Sequence, residues 1–234
     1  MLPSAGAAAA RGSARPLHSA PVGPNAALIP AGRGSPLGAV CPSAIPWPSV
    51  SVSTLSGLLS SAPVVGVSGS RAPSSASASV CRWAVRQLAP SASVITGCAP
   101  GIDAAARALC PGASVVRASQ YGAGPGALAA RSTAVVRAVA SGGPAALWLS
   151  FPSGPCPAGL APSRSSSSCF SGSGSGTWAS LALAVGLGVP ALVFLPPGVA
   201  APAAWPLAAV PGCAGPLGAW VRFRPVVVQS ALTF

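Results

Sequence analysis

Three turns are rich in glycine and hydroxyl side chains: GVSGSR at 66–71 and TGCAPGID at 96–103 each end an apolar run, and the long loop after a fourth apolar run leads into GSGSGT at 172–177. Glycine lets a backbone approach a ligand closely, and the N–H groups that open a following helix carry partial positive charge. Such turns can hold a phosphate with main-chain donors and hydroxyls, without any charged side chain. One Gly/Ser turn says little in a chain with 28 glycines. Three at strand ends predict an anion or nucleotide site. The first turn would bring Gly69, Ser70 and Arg71 to it, the second Gly97, Gly101 and Asp103. The third would bring Gly174, Ser175, Gly176 and Thr177, with Thr177 capping a helix or bonding a phosphate oxygen. Arg131 is expected beside them as a partner for phosphate. Neither the Gly-x-Gly-x-x-Gly fingerprint nor the P-loop pattern with its lysine is satisfied, so an ordinary dinucleotide enzyme or P-loop enzyme is not expected.

Groups for proton transfer near neutral pH are few. His18 is the only histidine and lies in a Pro/Gly/Ala/Ser-rich tail. Asp103 is the only acid; it falls at a predicted helix start, free to cap it, to pair with Arg71 or Arg131, or to bond a ribose hydroxyl. Cys98 sits in the second turn without an activating base. Tyr121 is placed either to stack on a base or to pack. The seven cysteines form no CxxC pair and read as small apolar residues of a reducing compartment. These residues call for no cofactor and no metal ion.

The charge needs a separate reading. Thirteen basic residues, all arginine, oppose one acid, for a net charge of +12. The scarce types (Lys, Asn, Asp, Glu, His, Gln, Tyr) share adenine at the second codon position, which points to compositional drift in a GC-rich gene. Whatever its origin, an arginine-rich surface without acids attracts phosphate polyanions.

The elements that must position the turns follow from periodicity. Strands are predicted at 62–71, 93–97, 113–119, 145–151 and 189–195, and helices at 74–88, 101–110, 124–141 and 176–187. In the third helix Leu128, Ser132, Val135 and Val139 form the expected core stripe. Strand–helix alternation specifies βαβ crossovers and a parallel sheet. Residues 178–197 meet the crude length criterion for a membrane span, but GLGVP in their middle reads as a helix stop before a strand. No membrane association is therefore expected. Residues 1–48 read as a low-complexity, disordered tail, with organelle targeting left open beside a cytoplasmic location. Residues 49–61 read as a short lead-in element. Residues 197–234 read as a Pro-rich extension packed on the domain and carrying a closing strand at 224–229.

The segments VVGVSGSR (64–71), VITGCAPGIDAAAR (94–107), GPGALAARSTAVVRAV (124–139) and GSGSGTWASLALAVGLGVPALVF (172–194) occur in an order that resembles the SLOG superfamily. That superfamily includes DprA-like DNA-processing proteins and LOG phosphoribohydrolases. The resemblance covers residues 62–196 and implies an α/β, Rossmann-like three-layer sandwich with a mainly parallel sheet. It implies a nucleotide or nucleotide-derived ligand, with Gly69, Ser70, Arg71, Gly97, Gly101, Asp103, Arg131, Gly174, Gly176 and Thr177 on the matching motif positions. The hydrolase branch carries a catalytic glutamate where this chain has Ser180, so the resemblance implies binding without hydrolysis. The alternatives are a DNA-processing protein that binds single-stranded DNA and a diverged phosphoribohydrolase; a homodimer is left open.

Overall fold

The computed structural model describes residues 54–172, 174–210 and 221–224, all within the unit Trp47–Phe234. The tail expected over 1–48, with His18, lies outside the described residues.

Alternating apolar runs form the strands β1 (Val64–Gly69), β2 (Ser93–Gly97), β3 (Ser114–Val116), β4 (Leu147–Phe151) and β5 (Ala191–Phe194). Their order across the sheet is β3-β2-β1-β4-β5, and every neighbouring pair among these five is parallel. Two short strands, β6 (Ala208–Ala209) and β7 (Val221–Arg224), extend the β5 edge, with β7 antiparallel to β5. β7 ends where the closing strand is expected to begin, and 225–229 lie outside the described residues.

Helices cover both faces. On one face lie α1 (Thr54–Ser61), α2 (Ser75–Arg86) and α3 (Ile102–Leu109). Their Leu59, Cys81, Ala84 and Ile102 pack on Val65, Val67, Leu149 and Leu192. On the other lie α4 (Pro125–Ala140) and α6 (Gly176–Gly186), whose Val135, Val139, Trp178 and Leu181 pack on Trp148, Ala191 and Val193. A short α5 (Ser166–Cys169) precedes α6. This is the three-layer, Rossmann-like α/β sandwich. Within the lead-in of 49–61, Thr54–Ser61 form α1, which puts Leu55 and Leu59 in the core.

Local chemistry sets the helix ends. Ser74 caps α2, its side chain accepting from the Ser77 N–H at 3.1 Å. α6 ends in a Schellman motif: Gly188, at φ 85°, donates to the Val185 carbonyl at 3.1 Å, and Val189 donates to Ala184 at 3.0 Å. That stop is why residues 178–197 are divided between α6, which ends at Gly186, and the strand β5. Among the described residues no helix is long and apolar enough to cross a membrane.

Trp205, in the segment beyond β5, is buried and meets Trp178 edge-on at 5.7 Å, and its Nε1 donates to the Leu160 carbonyl at 3.0 Å. Phe151 and Phe194 stack at 4.6 Å on neighbouring strands.

Gly66 faces α4 at close range; a Cβ there would run into the Trp148 ring and lie 2.7 Å from Val139 Cγ2. Gly66→Ala is expected to cost about 1–3 kcal/mol of overpacking. Gly112→Ala, at an exposed position with open space around it, should stay within about 0.5 kcal/mol. Urea unfolding of the two variants checks the contrast, which equal stabilities would remove.

Candidate functional site

The chain turns toward one face after β1 and toward the other after β4, so the order of strands reverses between them. A crevice outside the carboxyl ends of the strands is expected at that point. The structure has a cleft of about 700 Å³ there, within the range of small-ligand sites.

The turn after β1 forms one wall and is held by backbone bonds. The Ser70 N–H donates to the Phe151 carbonyl at 3.0 Å, and the Ser70 carbonyl accepts from the Ile102 N–H at 3.0 Å. Ser70 Oγ accepts from the Ala72 N–H at 3.1 Å. The turn is thereby tied to β4 and to the start of α3. Gly69, Ser70 and Arg71 all line the cleft, and Arg71 is exposed.

The opposite wall is the start of α6. Gly174, Ser175, Gly176 and Thr177 line the cleft. Ser175 occupies the N-cap without a side-chain bond to the helix, so its hydroxyl does not satisfy the first-turn N–H groups. Gly174 has φ 143°, a conformation that favours glycine. A Cβ on Gly176 would meet nothing within 4 Å. The long loop before α6 is anchored by Trp178, whose Nε1 donates to the Gly154 carbonyl at 2.9 Å, and it brings Ser153 and Pro157 to the rim.

Asp103 and Arg131 join these walls as a buried ion pair. Arg131 Nη1 donates to Asp103 Oδ2 at 2.8 Å, with the side chains only 8% and 4% exposed. Both line the cleft. Burial pushes the Asp103 carboxyl above the ordinary 3.8, against the opposing pull of Arg131 and a main-chain hydrogen bond from Ala99. Arg107 holds the turn after β2 from behind, donating to the carbonyls of Gly97 and Ala99. Arg107 has no distinguishing spacing in the sequence; its role follows from where the turn folds back.

The remaining residues take other positions. Gly97 and Gly101 are not among the residues that line the cleft. Gly97 lacks a side chain because the Arg131 guanidinium occupies that space, and Gly101, at φ 75°, because the Ser70 and Arg71 carbonyls do. The α4 stripe is also rotated in its first half: Leu128 and Ser132 line the cleft while Arg131 is buried. The reason is the ion pair, which draws Arg131 inward. Tyr121, 42% exposed on a 3₁₀ turn (Ala118–Tyr121), and Cys98, whose Sγ accepts from the Ala118 N–H at 3.3 Å, do not line the cleft.

Since Asp103 is the only side-chain carboxyl in the chain, acid titration reports mainly on it. A carboxyl that titrates higher when folded adds stability that is complete below its unfolded value and is lost as pH rises through the folded value. Relative to Asp103→Asn, the unfolding free energy of the native chain should therefore fall as pH rises from below the ordinary 3.8 through the raised folded value. A difference that grows with pH in denaturant titrations would contradict the assignment.

No protein-family model, curated protein or solved structure matches this chain.

Proposed function

We propose that the cleft binds a nucleotide or nucleotide derivative and does not hydrolyse it. The observation that carries this reading is the opening of α6 on the cleft without a side-chain cap, facing the Ser70 turn and flanked by Arg131. A phosphate there would receive main-chain N–H bonds from the 174–177 segment and the field of the helix start. Arg71 supplies net positive charge, while Arg131 is paired with the one carboxylate and leaves it neutralised. The order of motifs that resembles the SLOG superfamily supports the same ligand class.

The one carboxyl that lines the cleft, Asp103, is held by Arg131, and the position of the hydrolase glutamate carries Ser180. Ser180 Oγ donates to the Gly176 carbonyl at 2.8 Å within its own helix, and Cys169 Sγ contacts the Ser163 carbonyl at 3.5 Å with its thiol pushed up by burial. Neither side chain replaces a glutamate as general acid or base.

A second reading rests on a different observation. Arg71, Arg82, Arg86, Arg117, Arg137 and Arg164 are exposed, and among the described residues no acid is exposed. Such a surface suits a phosphate polyanion such as single-stranded DNA, bound with strong salt dependence.

Gly176→Val separates the two. Its side chain would project into open space at the mouth of the phosphate position, so the fold should persist by circular dichroism. Thermal shift and calorimetry with AMP, ADP and cyclic nucleotides should show binding to the native chain and at least a tenfold loss (about 1.4 kcal/mol) in the variant. Retention on single-stranded DNA that is unchanged by Gly176→Val, with no response to any free nucleotide, would replace the first reading by the second.

A further inference from the structure

Among the described residues four buried side-chain polar atoms have no hydrogen-bond partner: Ser68 Oγ, Ser150 Oγ, Trp148 Nε1 and Arg131 Nε. Buried hydroxyls are usually satisfied, so each orphan calls for an explanation. Two of the four are linked by register. Ser68 on β1 and Ser150 on β4 are directly paired across parallel strands. Their neighbours Val67, Leu149 and Phe151 point to the face of α1, α2 and α3. Alternation along a strand therefore turns both serines to the face of α4 and α6. β1 and β4 are also the two strands between which the sheet order reverses, and Ser68 lines the cleft.

Adjacent strands lie roughly 4.8 Å apart. One oxygen entering beside Ser68 can thus come within reach of both hydroxyls, an ordinary O–H···O distance being about 2.8 Å. Each serine hydroxyl can donate and accept, as can a ligand hydroxyl. A charged group is poorly suited to the position, because Ser150 is fully buried and Trp148 stands two residues before it on the same face. The other two orphans, Trp148 Nε1 and Arg131 Nε, only donate and are not paired in register with each other.

We infer that Ser68 and Ser150 form an uncharged subsite at the base of the cleft that takes a sugar hydroxyl of the ligand. Ser68 is the contact at the cleft wall, and Ser150 lies in register behind it. This rests on the nucleotide reading and deepens it: phosphate at the start of α6, sugar hydroxyl between the sheet ends.

The test is calorimetric titration of the full chain with AMP, 2′-deoxy-AMP, 3′-deoxy-AMP and inorganic phosphate. Ser68→Ala and Ser150→Ala should each weaken AMP binding about threefold to tenfold, the effect of one neutral hydrogen bond, and leave inorganic phosphate affinity unchanged. One of the two deoxy probes should bind the native chain more weakly than AMP and lose nothing more in Ser68→Ala. The thermal midpoint without ligand should be unchanged or higher in both variants, because no existing hydrogen bond is removed. Unchanged AMP affinity in both variants, while Gly176→Val abolishes binding, overturns the subsite and keeps the nucleotide reading. Equal binding of AMP and both deoxy probes by the native chain overturns it as well, as does an equal loss of AMP and inorganic phosphate. A native chain that binds none of the four probes overturns both readings.

Discussion

Asp103 and Arg131 set the geometry on which the cleft depends. The chain has one acid, and it lies buried at the start of α3 against an arginine from α4. These helices belong to opposite layers, so the pair reaches across the carboxyl edge of the sheet. Gly97 ends β2 without a side chain and leaves the guanidinium its place. Arg107 then holds the same turn by its carbonyls. Removing one partner from such a buried pair typically costs more than the pair contributes, because a charge is left uncompensated. The first half of α4 is consequently oriented by electrostatics and the second half by apolar packing.

The walls of the cleft are built mainly from backbone. The β1 turn is fixed through Ser70 to β4 and α3, and the α6 start is fixed by the packing of the helix behind it. All nine residues from Thr177 to Val185 are buried. At about 1.5–3 kcal/mol for each fully buried large aliphatic side chain, that packing far outweighs any single polar contact at the helix start. The N–H groups facing the cleft are therefore held in place by the core, and they require no lysine. This suits a chain in which lysine and glutamate are absent altogether.

The surface has a different logic. With the only acid paired internally, every exposed charge among the described residues is an arginine. Like charges on such a surface repel one another. The surface meets the cleft at Arg71, which is exposed and lines it.

Much of the architecture was legible in the chain itself. Gly-rich turns after β-branched runs, and helix-length segments between them, specify parallel strands, because short connections and crossovers leave few other arrangements. β2 matches its predicted span, and the Gly186–Leu187–Gly188 stop before Pro190 explained in advance why an uncharged 20-residue stretch is a helix and a strand. The turns after β1 and before α6 could be placed at one end of the sheet because parallel strands share a direction. What periodicity could not supply was the partner of each side chain. Arg131 sits on the helix where a polar residue is expected outside, and only contact with Asp103, 28 positions away, turns it inward. Gly97 and Gly101 look like Gly69 in sequence, yet their missing side chains accommodate a guanidinium and two carbonyls. Ser150 is an ordinary strand serine until register sets it beside Ser68. Local pattern determines which elements form, since backbone propensity and amphipathic period act over a few residues. Long-range pairing alone decides which charge is buried and which hydroxyl is left without a partner, since both depend on atoms brought together from distant parts of the chain.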